Sequence, residues 1–207
     1  MADHFPFVSI TEYLIEKKPD LKAGKASLLD YLARQYPDYH LRNVKAANFF
    51  SAQDTFEQWI LDVIANEPIP SDIKSIWFGL SEWNHQAEPD VVFTRIYIIG
   101  SRFSPDEDKE WSCYVHYDPD PKDSLLELEI YEDMSRSVSQ YNKWAEGGES
   151  VYLGVAMFLS LSCLLITQSL QGISDILIEN RDDLHVGFGY PSGDCWYLGR
   201  LTADGWE

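Results

Sequence analysis

The stretch from Ser150 to Ser174 carries no charged side chain, in a chain that has 34 acidic and 16 basic residues. Because about 20 apolar residues cross the hydrocarbon core of a bilayer, a membrane span is the first alternative to weigh. The apolar part, however, runs only from Val151 to Ile166, between acidic flanks that lack the Lys or Arg cluster typical of membrane helices. With no polar face at its centre, this stretch predicts a helix over about 150–171 that is buried on all sides.

Helical patterns dominate the first third of the chain. Amphipathic segments that end at a proline predict helices at Ile10–Lys17, at Ala26–Tyr36 and from Ser51 onward. The third segment has apolar residues at the spacing of a helical stripe, namely Phe56, Trp59, Ile60, Val63 and Ile64. Residues 1–70 are therefore predicted to form a helical N-terminal part.

The rest of the chain is rich in branched and aromatic residues, which favour β-strands. Strands are predicted at Ile73–Leu80, Val91–Ile99, Trp111–Tyr117, Leu125–Tyr131 and Asp175–Glu179, followed by a hairpin over 184–201. In the hairpin, Gly187 and Gly189 leave one face of a strand bare, which predicts close packing of another element there. Residues 71–207 are thus expected to hold a sheet and the central helix. The whole chain, residues 1–207, is predicted to be a single α+β domain, with a mainly antiparallel sheet and helices packed on one face.

The net charge of −18 limits the partners of this chain. Nucleic-acid binding requires basic groups that contact phosphates, so it is not expected. A basic protein partner suits the charge instead. The beginning, Met-Ala-Asp-His, lacks the basic and apolar regions of a secretory signal, and the three cysteines show no metal-ligand spacing. We therefore expect a cytoplasmic protein with reduced thiols and no contact with a membrane.

No motif for a cofactor or a metal is present. The five histidines are scattered, and the acidic run that begins at Asp118 has Asp123 where a calcium loop requires glycine. His185 could act as a base for Ser192 or Cys195, but no motif supports that arrangement. We expect no cofactor, no metal and no catalytic residue, although an enzyme with a cryptic site stays open as an alternative.

An acidic segment from Ser104 to Asp133 holds eleven acidic and two basic residues, half the net charge of the chain. Aromatic residues at the ends of predicted strands lie beside it, and an aromatic rim with carboxylates is typical of an interface for a basic partner. The alternative is a solvated acidic surface without a partner. The candidate partner-binding residues are Trp83, Asp106, Glu107, Asp108, Trp111, Tyr117, Asp118 and Asp120.

In its small size, acidic charge, aromatic content and lack of a catalytic motif, the chain resembles bacterial immunity proteins of polymorphic-toxin systems. The resemblance extends over the whole chain and no specific motif carries it, so no residue is assigned from the family. It implies binding and neutralisation of a cognate toxin, often a basic nuclease, by covering its active site. A structural or adaptor domain, including a homo-oligomer, stays open as a further alternative.

Overall fold

The computed structural model describes residues 6–39, 41–142, 149–191 and 194–207. Its helices are α1 (Pro6–Lys17), α2 (Leu21–Gln35), α3 (Arg42–Ala46), α4 (Phe49–Asn66), α5 (Pro121–Ser124), α6 (Glu129–Asn142), α7 (Glu149–Gly172) and α8 (Ser174–Ile178). Its strands are β1 (Ser75–His85), β2 (Glu88–Ser101), β3 (Leu125–Leu126), β4 (Asp183–Tyr190), β5 (Asp194–Thr202) and β6 (Gly205–Trp206). A single 3₁₀ turn covers Trp111–Cys113 in these ranges.

Within the described ranges, six strands form one sheet in the order β3-β2-β1-β4-β5-β6. The central pair, β1 and β4, is parallel, with Ser75 opposite His185 and Gly79 opposite Gly189. The pairs β2–β3, β4–β5 and β5–β6 are antiparallel. A two-residue turn joins β1 to β2, and a turn of that length connects antiparallel strands. The predicted α+β fold with a mainly antiparallel sheet is confirmed, and the β1–β4 pair is its parallel exception.

By its internal contacts the chain divides into two compact units that alternate along the sequence. Unit 1 comprises Met1–Ala52, Glu82–Thr94 and Glu127–Leu165. Unit 2 comprises Gln53–Ser81, Arg95–Leu126 and Ile166–Glu207. This division does not follow the predicted boundary between a helical part and a sheet part at residue 70. That residues 1–207 act as one domain stays a prediction.

Unit 1 holds α1, α2, α3 and α6, most of α7, and the end of β1 with the start of β2. Helix α2 begins at Asp20, whose carboxylate accepts a 2.8 Å hydrogen bond from the Ala23 amide and so satisfies one of the free N–H groups of the first turn. Between α6 and α7, the fully buried Tyr131 hydroxyl lies 2.6 Å from the Ser162 hydroxyl. Ser162 donates its own proton to the Phe158 carbonyl at 2.6 Å, so Tyr131 is the donor to Ser162.

Unit 2 contains most of the sheet, and helix α4 packs on it. The rings of Phe56 and Trp59 lie 5.6 and 6.4 Å from the ring of Phe78 in β1. The apolar stripe predicted for this helix is therefore confirmed as core. At the β6 edge of the sheet, the Trp206 indole donates a 2.9 Å hydrogen bond to the Thr167 carbonyl of α7, which satisfies the indole N–H of this half-buried ring.

Helix α7 confirms the prediction of a central buried helix over about 150–171. In the described part of the chain, its segment Tyr152–Gly172 is the one helix long and apolar enough to cross a membrane, and 89% of its most apolar window is buried. Such burial is typical of the core helix of a globular protein.

Two predicted strands are almost entirely wrong, and a third is right only in its first two residues. Of Trp111–Tyr117, only Tyr117 pairs with a neighbouring strand, in an isolated antiparallel bridge to Gly100; the rest is a 3₁₀ turn and irregular backbone. Of Leu125–Tyr131, only the first two residues pair as a strand, and α6 begins at Glu129. Leucine and glutamate are strong helix formers, and Glu129 in the first turn complements the positive end of the helix dipole. Asp175–Glu179 contains helix α8 instead of a strand.

Candidate partner-binding surface

Residues 102–116 follow β2 in unit 2 and are called the acidic loop below. Trp111 fixes this loop to the sheet: it is 3% exposed and belongs to a buried cluster with Trp77 and Ile99. Its indole lies directly on Gly187 of β4, where an added Cβ would stand 2.9 Å from the Trp111 Cζ2 atom. Only glycine leaves room for the ring at that distance. The predicted packing of another element against this bare strand face is confirmed at Gly187.

The two ends of the acidic loop are fixed by hydrogen bonds. At its start, the Ser75 hydroxyl donates to the Phe103 carbonyl at 2.6 Å. After its end, the Tyr117 amide donates to the Gly100 carbonyl at 3.1 Å, and the Tyr117 hydroxyl donates to the Glu67 carbonyl at 2.7 Å. These bonds and the buried indole hold the backbone of the loop in one arrangement, so little conformational entropy remains to be lost when a partner binds.

Glu107 stabilises the loop from within. Its carboxylate pairs with the Lys74 ammonium and accepts a 2.9 Å hydrogen bond from the Ser104 amide. The hydrogen bond from Lys74, followed by that from Ser104, lowers the pKa of Glu107 to about 2. Glu107 therefore stays ionised at any physiological pH, and its charge is paired with that of Lys74, which lies before β1.

Aromatic rings lie on the solvent side of the loop. Phe103 is 38% exposed, Tyr114 is 40% exposed and Val115 is 52% exposed. The Phe103 ring is edge-to-face with Tyr114 at 5.2 Å and with His116 at 5.7 Å between ring centroids. The three ring-bearing residues Phe103, Tyr114 and His116, together with Val115, are called the aromatic patch below. Large side chains clustered at a surface in this way are typical of protein interfaces.

Asp108 and Glu110 lie beside Tyr114 of the patch, whereas Asp106 lies near Tyr197 of β5. Within the described residues, no ion pair includes Asp106, Asp108 or Glu110. Asp108 accepts a 2.8 Å hydrogen bond from the Glu110 amide. The charge of Asp108, together with burial and Glu110, raises the pKa of Tyr114. The surface around the aromatic patch is therefore negative and free to attract a cation.

A histidine–tyrosine pair on the β4–β5 hairpin lies near the acidic loop. The His185 Nδ1 atom is 2.7 Å from the Tyr197 hydroxyl, and the two rings are stacked with centroids 5.8 Å apart. Burial lowers the pKa of His185, against the opposing effects of Asp183 and Asp106. Burial and then Asp106 raise the pKa of Tyr197, which is 41% exposed. The hydrogen-bond partner of the His185 ring is therefore the phenol of Tyr197. The alternative partner Ser192 lies outside the described residues.

The candidate residues from the sequence fall into different environments. Asp106 and Asp108 lie on the surface of the acidic loop, whereas Glu107 is paired with Lys74. Trp111 and Tyr117 are 3% and 7% exposed, so they support the loop from below. Phe103 and Tyr114 are the exposed aromatic residues that sequence reasoning missed. Phe103 stands directly before a Ser-Pro turn in an acidic segment, a position that indicates exposure.

The remaining candidates lie outside the loop. Asp118 and Asp120 are exposed, and Asp120 accepts a 2.9 Å hydrogen bond from the Lys122 amide, which caps the short helix α5. Trp83 belongs to unit 1, where its half-buried ring contacts Phe93 at 5.4 Å. No group of three metal-ligating side chains is present in the described ranges.

Comparisons with protein-family models, with curated proteins and with solved structures found no significant match to this chain.

Proposed function

We propose that the chain is a protein-binding module whose acidic loop binds a basic partner protein. We further propose that it acts as an immunity protein in the bacterial cytoplasm and that the partner is a cognate toxin. The observation that carries the proposal is the solvent-exposed aromatic patch on a loop whose carboxylates Asp106, Asp108 and Glu110 make no ion pair within the described residues. The resemblance of the chain to immunity proteins supports the choice of a toxin as partner.

The two parts of this surface contribute differently to binding. The exposed rings of Phe103 and Tyr114 would lose water-accessible apolar area on contact, which is the main source of affinity in protein interfaces. Their faces also accept the guanidinium or ammonium groups that a basic protein presents. The carboxylates would accelerate encounter with a positive partner and exclude negatively charged proteins. A toxin that binds nucleic acid presents such a positive surface at its active site, so covering it would block the substrate.

The first experiment is capture of the partner from the source cell on immobilised chain, followed by mass spectrometry. The wild-type chain is compared with Phe103→Ala/Tyr114→Ala and with Asp106→Lys/Glu110→Lys. Neither Asp106 nor Glu110 uses its carboxylate in a hydrogen bond within the described residues, so the reversal is expected to leave the fold intact. A matched control, Glu12→Lys/Asp38→Lys, makes the same change of charge at exposed positions in unit 1.

We expect one basic protein to be captured by the wild-type chain and by the control, and to be lost from both loop variants. Co-expression of the chain with that protein should then restore growth of cells that the protein alone inhibits. Capture that is equal on all four baits would contradict the proposed surface. A captured protein that is not toxic would leave a binding module and contradict the immunity role.

A further inference from the structure

A cavity lies between the first two helices of unit 1. Helices α1 and α2 are joined by three residues, and a connection of that length makes the two helices antiparallel neighbours. The cavity has a volume of about 340 Å³, which is within the usual range of small-molecule sites, roughly 300–1,000 Å³. The residues of α2 that line it lie three, four and seven positions apart and so share one helix face, namely Ser27, Asp30, Tyr31 and Arg34.

The floor of the cavity is buried and uncharged. Ile10 of α1 and Tyr31 of α2 line it and are each 5% exposed. The Tyr31 hydroxyl has no hydrogen-bond partner in the part of the chain that the structure describes. Burial raises the pKa of Tyr31 to about 12, so the phenol stays neutral. Tyr13, which also lines the cavity, is 42% exposed and leaves part of its ring in water. These surroundings favour an apolar ring, because it would cover the exposed area and contact two tyrosine rings.

The mouth of the cavity carries one charge of each sign. The Asp30 carboxylate and the Arg34 guanidinium lie 2.8 Å apart, and their side chains are 68% and 69% exposed. An exposed ion pair of this kind stabilises a fold only weakly, so both groups can turn to a ligand at little cost. Asp30 would repel a simple anion, and Arg34 would repel a simple cation. A ligand that holds an ammonium group and a carboxylate close together is attracted at both positions.

We propose that this cavity binds a free amino acid with an aromatic side chain. Arg34 pairs with the α-carboxylate, and Asp30 pairs with the α-ammonium group. A guanidinium can bind a carboxylate through two parallel hydrogen bonds, which fixes the orientation of the ligand. The ring of the ligand lies against Ile10, Tyr13 and Tyr31. All residues that line the cavity belong to unit 1, whereas the acidic loop belongs to unit 2. The proposal therefore stands without the proposed toxin partner.

The test is a titration of the full chain with L-phenylalanine, followed by saturation-transfer NMR. We expect a Kd of about 1 mM or tighter. Phenylpropanoate lacks the ammonium group and phenylethylamine lacks the carboxylate, so each should bind at least about fivefold more weakly. Glycine, which lacks the ring, should give no measurable transfer. No transfer to L-phenylalanine, or an equal affinity for either of the two analogues, would overturn the proposal.

Two pairs of variants locate the binding site. Asp30→Asn and Arg34→Gln each remove one charge at the mouth and should weaken binding of L-phenylalanine at least about fivefold. Glu12→Gln and Lys22→Gln remove the same charges outside the cavity, on the same two helices, and should leave binding unchanged. All four side chains are exposed, and circular dichroism checks that the variants keep the fold. Full binding by both mouth variants, or an equal loss in all four variants, would overturn the proposal.

Discussion

Substitution of Gly187 by alanine should destabilise the protein, although alanine is the better residue for a strand in general. The added Cβ would stand 2.9 and 3.0 Å from two ring atoms of Trp111 and 3.2 Å from the Trp196 carbonyl oxygen. Real Cβ atoms essentially never lie closer than 3.0 Å to another heavy atom, so the ring or the strand must move. The ring is buried at 3% exposure, and overpacking of this kind costs about 1–3 kcal/mol.

Gly154 provides the matched control. It lies inside helix α7, and an added Cβ would meet its nearest neighbours at 3.6 and 3.9 Å, which is ordinary contact distance. Alanine loses less backbone entropy than glycine on forming a helix, so Gly154→Ala should stabilise the protein by about 0.5–1 kcal/mol. The two glycine-to-alanine changes are therefore expected to have opposite signs in urea unfolding followed by circular dichroism.

A double-mutant cycle assigns the cost to the indole. If the clash with Trp111 is its cause, the smaller ring of Trp111→Phe should reduce the penalty of Gly187→Ala by about 1 kcal/mol, within the usual range for residues in contact. The argument would be refuted by a neutral or stabilising Gly187→Ala variant. It would also be refuted by a penalty of the same size in the wild-type chain and in the Trp111→Phe variant, since the loop would then not pack on this glycine.

Three further predictions concern stability. Arg181→Ala should lower the free energy of unfolding in urea by about 2–3 kcal/mol. The guanidinium donates to the Ile73 and Ile69 carbonyls at 2.8 and 3.0 Å, and both carbonyls would lose a charged partner. A decrease in stability smaller than the error of the fit would contradict this. Tyr131→Phe should lower the free energy of unfolding by about 1 kcal/mol, because it removes the buried hydrogen bond to Ser162. An unchanged free energy of unfolding would show that this hydrogen bond does not stabilise the fold. In the folded protein the pKa of His185 lies below its ordinary value of 6.5. When the pH is lowered, the unfolded chain therefore takes up a proton at His185 before the folded chain does. Stability present above pH 6.5 should therefore fall as the pH is lowered through the folded pKa, and thermal unfolding of His185→Gln should lack this component.

The fold could be predicted where a local pattern has a single physical solution. A charge-free run of the length of α7 must leave water. The apolar residues of α4 recur at a spacing that places them all on one face of a helix. The prediction failed where the local residue types favoured one structure and a contact with a distant part of the chain favoured another. Trp111 and its neighbours have strand-forming side chains, but the indole reaches its burial site from a 3₁₀ turn because Gly187, far along the chain, leaves the space.

The candidate surface was predictable as a region but not residue by residue. Its negative charge is visible in the acidic segment, since charged side chains remain in water unless they are paired. Which aromatic residues face outward is a tertiary property. Trp111 and Tyr117 are buried, while Phe103 and Tyr114 are exposed, and the four have similar surroundings in sequence. The pairing of Glu107 with Lys74 likewise depends on a contact that the spacing of the two residues does not indicate.

The most direct test of the account is a calorimetric titration of the captured basic protein into the wild-type chain, Asp106→Lys/Glu110→Lys and the control Glu12→Lys/Asp38→Lys. The account predicts a loss of affinity of at least about tenfold, or about 1.4 kcal/mol, for the loop variant and none for the control. The loss should shrink at high salt, because exposed charges are then screened. Equal affinities for the three chains, or equal losses in both variants, would contradict a specific partner-binding role of the acidic loop.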